Sequence, residues 1–234
     1  MRPAPLLHRL RRDRSGVALT EFAFSLPIVL GIGCWGIETA NLALANQRIS
    51  QIALNLADNT SRMGDMQSDN TSQLREVDIN DALNAARLQG EKWQLTQRGR
   101  LTVSSLEEHD GKQFIHWQRC LGLKSGDVFE SRYGKTKPSD GIAAYPTDPG
   151  TDVTAAGGMG DPGRKVTAPP AAGVMFVEVS YEYSPVISKF WVPNQYARIH
   201  YIASFIVRDR RVFDRIYNPA PTAARYTCDK FTAT

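Results

Sequence analysis

Hydrophobic and polar positions follow three different rhythms along this chain. From Val17 to Ile37 the sequence is apolar almost without a break, interrupted by Thr20, Glu21, Ser25, Pro27 and the glycines at 31, 33 and 36. At about 1.5 Å per residue, such a run crosses a hydrocarbon core of about 30 Å. Beyond Glu38 the pattern changes: Leu42, Ala45, Ile49, Ile52 and Leu56 form an apolar stripe, with Asn41, Asn46, Gln47, Arg48, Gln51 and Asn55 between them. The stripe predicts an amphipathic continuation of the same helix. A helix from Val17 to about Met63 would measure about 70 Å. Its stripe makes only about two heptads, fewer than a coiled coil calls for, so it is expected to pack on the protein's own sheet. Pro27 should kink the span or loosen a turn. Gly31, Gly33 and Gly36 allow another membrane helix to approach.

Residues 64–75 are polar and turn-rich and read as a linker. A second helix is expected from Val77 or Asn80, with Ile79, Leu83, Ala86 and Leu88 near one face and Gly90 as its stop. Period two then takes over. Leu101–Leu106 and Gln113–Cys120 flank Asp110-Gly111, a dipeptide suited to a positive-φ turn, and read as a hairpin. From Met175 through Val177, Val179, Tyr181 and Tyr183, alternate residues are apolar or aromatic, opposite Glu178, Ser180 and Glu182, which predicts one buried and one wet face. From Arg198 to Arg208 both faces are largely apolar, which predicts a central strand. Between these regions, residues 134–173 hold eight Gly and six Pro, and disorder is expected there because large apolar residues are few. The expected class is α+β, a long N-terminal helix covering one face of an antiparallel sheet of about four strands. Some 200 residues beyond the apolar run suffice, by about that length, for one domain with a core.

Charge orients this arrangement. The formal net charge is +4, and residues 1–16 account for it through Arg2, Arg9, Arg11, Arg12 and Arg14 against Asp13. The remainder balances, so the basic pI does not point to nucleic acid as a partner. By the positive-inside rule the leader stays cytoplasmic and everything after Ile37 is exported. Topology makes the cysteines readable. Cys34 is an apolar residue of the span, whereas Cys120 and Cys228 lie in an oxidising compartment and are expected to pair. Their bridge would close a loop of about 109 residues and contribute about 4.7 kcal/mol in the chain-entropy model.

Inside the apolar run stands one carboxylate. A charge at mid-bilayer is unfavourable by about 2.5–3.5 kcal/mol on insertion scales, which makes Glu21 a functional candidate. Three readings of the N-terminus follow. An ordinary secretory signal would be cut after Ala43-Leu44-Ala45, although the apolar run is longer than such signals use. An uncleaved signal anchor explains the span, and Glu21, about 6 Å in from Val17, would then reach toward the head groups.

The third reading rests on spacing: basic residues, Gly16, four residues, then Glu21 at the fifth position of an apolar helix. This resembles the processing site of type IV prepilin-like proteins. Arg14-Ser15-Gly16-Val17-Ala18-Leu19-Thr20-Glu21-Phe22 is similar to the start of TadE-like proteins (TadE and TadF) of tight-adherence, Flp-type pilus systems. The tyrosine-rich stretch from Val179 to Pro185 adds a likeness of layout only. The related TadG proteins carry a much larger additional domain, so TadE or TadF is the nearer comparison. The resemblance implies a pilin-like fold and cleavage after Gly16 by a prepilin peptidase on the cytoplasmic side. Val17 would become the mature N-terminus, with the membrane helix retained. It also implies partners among other pilin or pseudopilin subunits and an inner-membrane assembly platform. The residue types suit those roles. Gly16 lets the backbone be drawn extended into a protease cleft, and the carboxylate of Glu21 pairs with the new α-amino group of its own or a neighbouring subunit. The expected function is that of a minor pilin, pseudopilin or assembly factor. It would span the bacterial inner membrane once, with its domain in the periplasm. The alternative is an uncleaved, membrane-anchored extracytoplasmic binding domain unrelated to pili.

Catalysis finds little support. His8, His109, His116 and His200 are scattered, and no nucleophile elbow, phosphate loop or zinc-binding helix motif is present. His109, His116 and Cys120 make a metal site only on paper, and Asp140, Asp148, Asp152 and Asp161 do not follow the EF-hand spacing. No enzymatic activity, cofactor or metal is expected. An anchored hydrolase would have only the 134–173 loop to recommend it.

Overall fold

The computed structural model describes residues 15–192 and 197–234; the leader residues 1–14, with the arginines that set the expected orientation, lie outside them. Helix α1 (Ser15–Arg62) runs unbroken through Pro27 and joins the apolar run to the amphipathic stripe as one element of 48 residues. Its second half buries Ala45, Ile49, Ile52, Ala53, Leu56 and Ala57. It lies across two strands, β6 (Gly173–Glu182) and β7 (Arg198–Ile206), where the stripe meets Val177, Val179, Tyr181, Ile199 and Ala203 in one core. The stripe thus packs on the protein's own sheet, as its two heptads suggest. At the far end of α1, Arg211 donates to the carbonyls of Thr60 (2.8 Å) and Ser61 (3.0 Å). These are among the last carbonyls of the helix, which have no partner within it.

The apparent linker is a miniature hairpin, β1 (Asp65–Met66) against β2 (Ser72–Gln73). Helix α2 (Glu76–Gln89) follows; the Asp78 carboxylate accepts from the Arg75 N–H and guanidinium, and Gly90 ends it. Arg48 of α1 donates to the carbonyl of Gln89, so the two helices are tied side by side. Glu76 and Arg119 form an ion pair that is essentially excluded from solvent, with Arg119 Nε 2.9 Å from Glu76 Oε2. A short helix α3 (Leu95–Arg98) leads into the sheet. Its strands β3 (Gly99–His109) and β4 (Lys112–Leu121) are joined by Asp110 and Gly111 with φ of 51° and 76°, the two positive-φ positions a tight hairpin turn requires.

The sheet order is β5-β4-β3-β6-β7, antiparallel at every pairing, with β5 (Thr151–Asp152) a two-residue strand at one edge. Four long strands under one helix give the α+β, pilin-like layout expected from the sequence. Three local expectations are corrected. First, β7 is an edge strand rather than a central one. Its two apolar faces reflect two coverings, α1 on one side and a second core on the other, where Ile202 packs. Second, the expected wet face of β6 is buried at Glu178 and Ser180 and reaches solvent only at Glu182, the strand's last residue. Third, residues 134–173 are not disordered but folded over the outer face of the sheet. There Val153, Met159 and Ala168 pack with Leu106, Ile115, Val174 and Phe176. Because that covering excludes water, the Glu178 carboxylate is satisfied from within, accepting from Ser131 Oγ (2.5 Å) and the Arg132 N–H (3.0 Å). Burial nevertheless pushes its pKa up.

Candidate functional site: the N-terminal helix and its junction with the domain

Among the described residues, nothing in the domain covers the first half of α1. Val17, Leu19, Phe22, Phe24, Ile28 and Ile32 are 49–79 % exposed, and none of the apolar stretch that qualifies the helix to cross a membrane is buried. A soluble helix with that surface would be strongly unfavourable in water. Its small polar residues limit their own cost in lipid. Thr20 donates to the carbonyl of Val17 (2.8 Å) and Ser25 to that of Phe22 (3.2 Å), returning their hydroxyl protons to the helix. Glu21 has no such device, since an ionised carboxylate only accepts. It stands exposed on the helix surface one turn beyond Val17.

Gly16 lies in the first turn, where a Cβ would meet nothing within 4 Å, and the same holds at Gly31, Gly33 and Gly36. The described residues therefore impose no need for glycine at those positions. By contrast, a Cβ at Gly122 would come within 2.3 Å of the carbonyl oxygen of Gly99, a packing demand internal to the domain.

The two halves of α1 meet at Glu38, whose role the sequence reading misses. Its side chain is fully buried and accepts three hydrogen bonds: from Tyr183 Oη (2.7 Å), the Ile187 N–H (2.8 Å) and the Val186 N–H (3.2 Å). Burial alone would raise its pKa, but these donors, with the Ser188 N–H, outweigh it and hold the carboxyl below its ordinary value. Just beyond the apolar span, Glu38 thus clasps the segment that follows β6. A signal for this was present, because Glu38 precedes Leu42 by four residues and so stands on the buried stripe. A carboxylate in that place needs a dedicated partner.

At the other end of the domain's chain, Cys120 of β4 is bonded to Cys228 as expected, 108 residues away, and Cys34 is free. The C-terminal segment lies along the end of β4, with Tyr226 and Thr232 carbonyls accepting from the N–H groups of Cys120 and Gly122 (both 2.7 Å). Buried Arg100 donates to the carbonyls of Cys228 and Lys230 and stacks on Phe231 at 4.3 Å. The disulfide leaves Cys120 unavailable as a metal ligand beside His109 and His116. His116 is buried with Nε2 2.8 Å from Glu107, though not aligned for a hydrogen bond. Among the described residues, no three His, Cys, Asp or Glu side chains are placed to hold a metal ion. The structure brings Gly16, Val17 and Glu21 together on one exposed turn and a half of α1, and it joins Cys120 to Cys228. No family model matches this chain, and no curated protein or solved structure matches it either.

Proposed function

We propose that this protein is a pilin-like, membrane-inserted subunit or assembly factor of a tight-adherence pilus, processed by a prepilin peptidase between Gly16 and Val17. The observation that carries the reading is the division of α1. One continuous helix has a bare apolar half, with Gly16 and Glu21 near its start, and a second half packed on an antiparallel sheet. The layout suits a subunit that is held in a membrane before assembly and afterwards offers the same apolar half to neighbouring helices. In that setting Glu21, exposed and without an internal donor among the described residues, has the amine of Val17 on its own or a neighbouring chain as its counter-charge. Cleavage after Ala45 fits poorly, since Ala45 is in the core and the cut would remove Glu38 from its clasp.

Intact-mass analysis of protein from cells with a functional prepilin peptidase tests the proposal. The expected chain starts at Val17, and Gly16→Arg is expected to retain the full leader. A wild-type chain beginning at Met1 defeats the reading in favour of an uncleaved anchor, and one beginning at Asn46 identifies an ordinary secretory signal.

A further inference from the structure

The segment Ser184–Val192, clasped by Glu38, carries an apolar surface that nothing among the described residues covers. Val186 is 67 % exposed, Ile187 41 % and Phe190 79 %, and Phe190 meets Trp191 edge-on at 5.0 Å between centroids. Its position along α1 is fixed. The N–H groups of Val186 and Ile187 hydrogen-bond to Glu38, the residue immediately after the apolar run. The exposed apolar tip therefore sits level with the end of the span. Basic and aromatic groups surround it: Lys189, Arg198 and Lys124 lie around Glu182, while Lys92, Trp93 and Arg98 line a shallow depression with Pro185 and Val186. Exposed apolar tips, aromatic rings and cationic side chains at one level are the composition that settles at a bilayer's head-group boundary. The apolar tips enter the acyl edge, and the cations meet lipid phosphates.

We propose that Ser184–Val192 is an interfacial membrane anchor. In this role Val186, Ile187 and Phe190 insert at the head-group boundary of the leaflet nearest the domain, and Lys92, Arg98, Lys189 and Arg198 face its phosphates. The inference rests on the reading of residues 17–37 as membrane-spanning. Its consequence is a second attachment point beside α1, which fixes the tilt and rotation of the domain on the bilayer. A single helix passing into a head group would leave the domain free to swing.

Site-directed spin labelling of the full chain in phosphatidylcholine–phosphatidylglycerol vesicles tests this, with Cys34→Ala removing the one free thiol. Labels are placed singly through Phe190→Cys, Val186→Cys, Ile32→Cys and Asp110→Cys, the last at the hairpin tip far from Glu38. Relaxation by oxygen, which concentrates in lipid, is compared with relaxation by a water-soluble nickel chelate. The depth parameter is expected to be positive at 32, 186 and 190 and negative at 110. Negative values at 186 and 190 with a positive value at 32 overturn the anchor while leaving the spanning helix intact. Negative values at 32 as well overturn both. Labels at 186 and 190 shielded from both reagents mean that protein, not lipid, covers the segment, and this also overturns the proposal.

Discussion

Helix α1 places the same residue types in two surroundings, and the pairs show how little a side chain's identity says without its place. Ile32 is 64 % exposed and Ile49 is fully buried; Glu21 is exposed whereas Glu38 is enclosed by three donors. Gly16 is sterically unconstrained, whereas Gly122, in the domain, is crowded by backbone. Cys34 is free, and Cys120 is bonded. Residues of the domain half answer to this chain's own fold. Those of the apolar half, apart from the hydroxyls of Thr20 and Ser25, are left uncovered among the described residues.

Matched substitutions sharpen or break that contrast. The largest expected effect is at the cysteines. Replacing Cys120 and Cys228 together by Ser should lower the unfolding free energy by several kcal/mol, toward about 4.7 for a loop of this length, and Cys34→Ser should leave it unchanged. Chemical denaturation of the three proteins decides, and equal midpoints would show that the bridge constrains nothing. Next come the isoleucines. Ile49→Ala should cost about 2–5 kcal/mol, as buried large-to-small changes do, while Ile32→Ala leaves the domain's Tm in place. A fall of the same size in both would mean that the apolar half is packed on the domain after all.

The smallest effect belongs to the carboxylates and is the most informative. Glu38→Gln puts an amide NH2 group beside backbone donors and should destabilise by about 1–3 kcal/mol, without preventing co-purification with pilus partners. Glu21→Gln should leave domain stability untouched yet abolish that co-purification. Stable recovery of the Glu21→Gln protein in pilus complexes, with normal surface adherence, would remove any assembly role from that carboxylate.

Periodic parts of the fold were legible and aperiodic ones were not. The α1 stripe, the α2 face at Ile79, Leu83 and Ala86 (though not at Leu88, which is exposed) and the β3–β4 turn each declare themselves because local geometry repeats or because Asp110-Gly111 needs positive φ. The sheet order did not follow from pattern, because β7 carries apolar residues on two faces for a reason remote in sequence: a loop folds back over it. That loop was illegible in turn. Val153, Met159 and Ala168 anchor it singly, among glycines and prolines, with no period to detect. At the candidate site, Gly16 and Glu21 were singled out by their spacing, and the disulfide was anticipated from topology. Glu38 was missed because its meaning depends on Tyr183, far away in the chain, although its place on the stripe was visible.

The bridge between Cys120 and Cys228 also gives this fold an order in time. The end of β4 is lined by the Tyr226 and Thr232 carbonyls and locked by Arg100 to the Cys228 and Lys230 carbonyls, so the edge of the sheet is finished by a segment synthesised well after the last long strand. A chain interrupted between Ile206 and Cys228 holds every long strand but carries an unpartnered Cys120 thiol and an unlined stretch of β4, the kind of open edge that invites wrong pairings. Synthesis of the segment from Tyr226 to Thr232 and closure of this edge are therefore one event. That segment serves as the latch of the β4 edge.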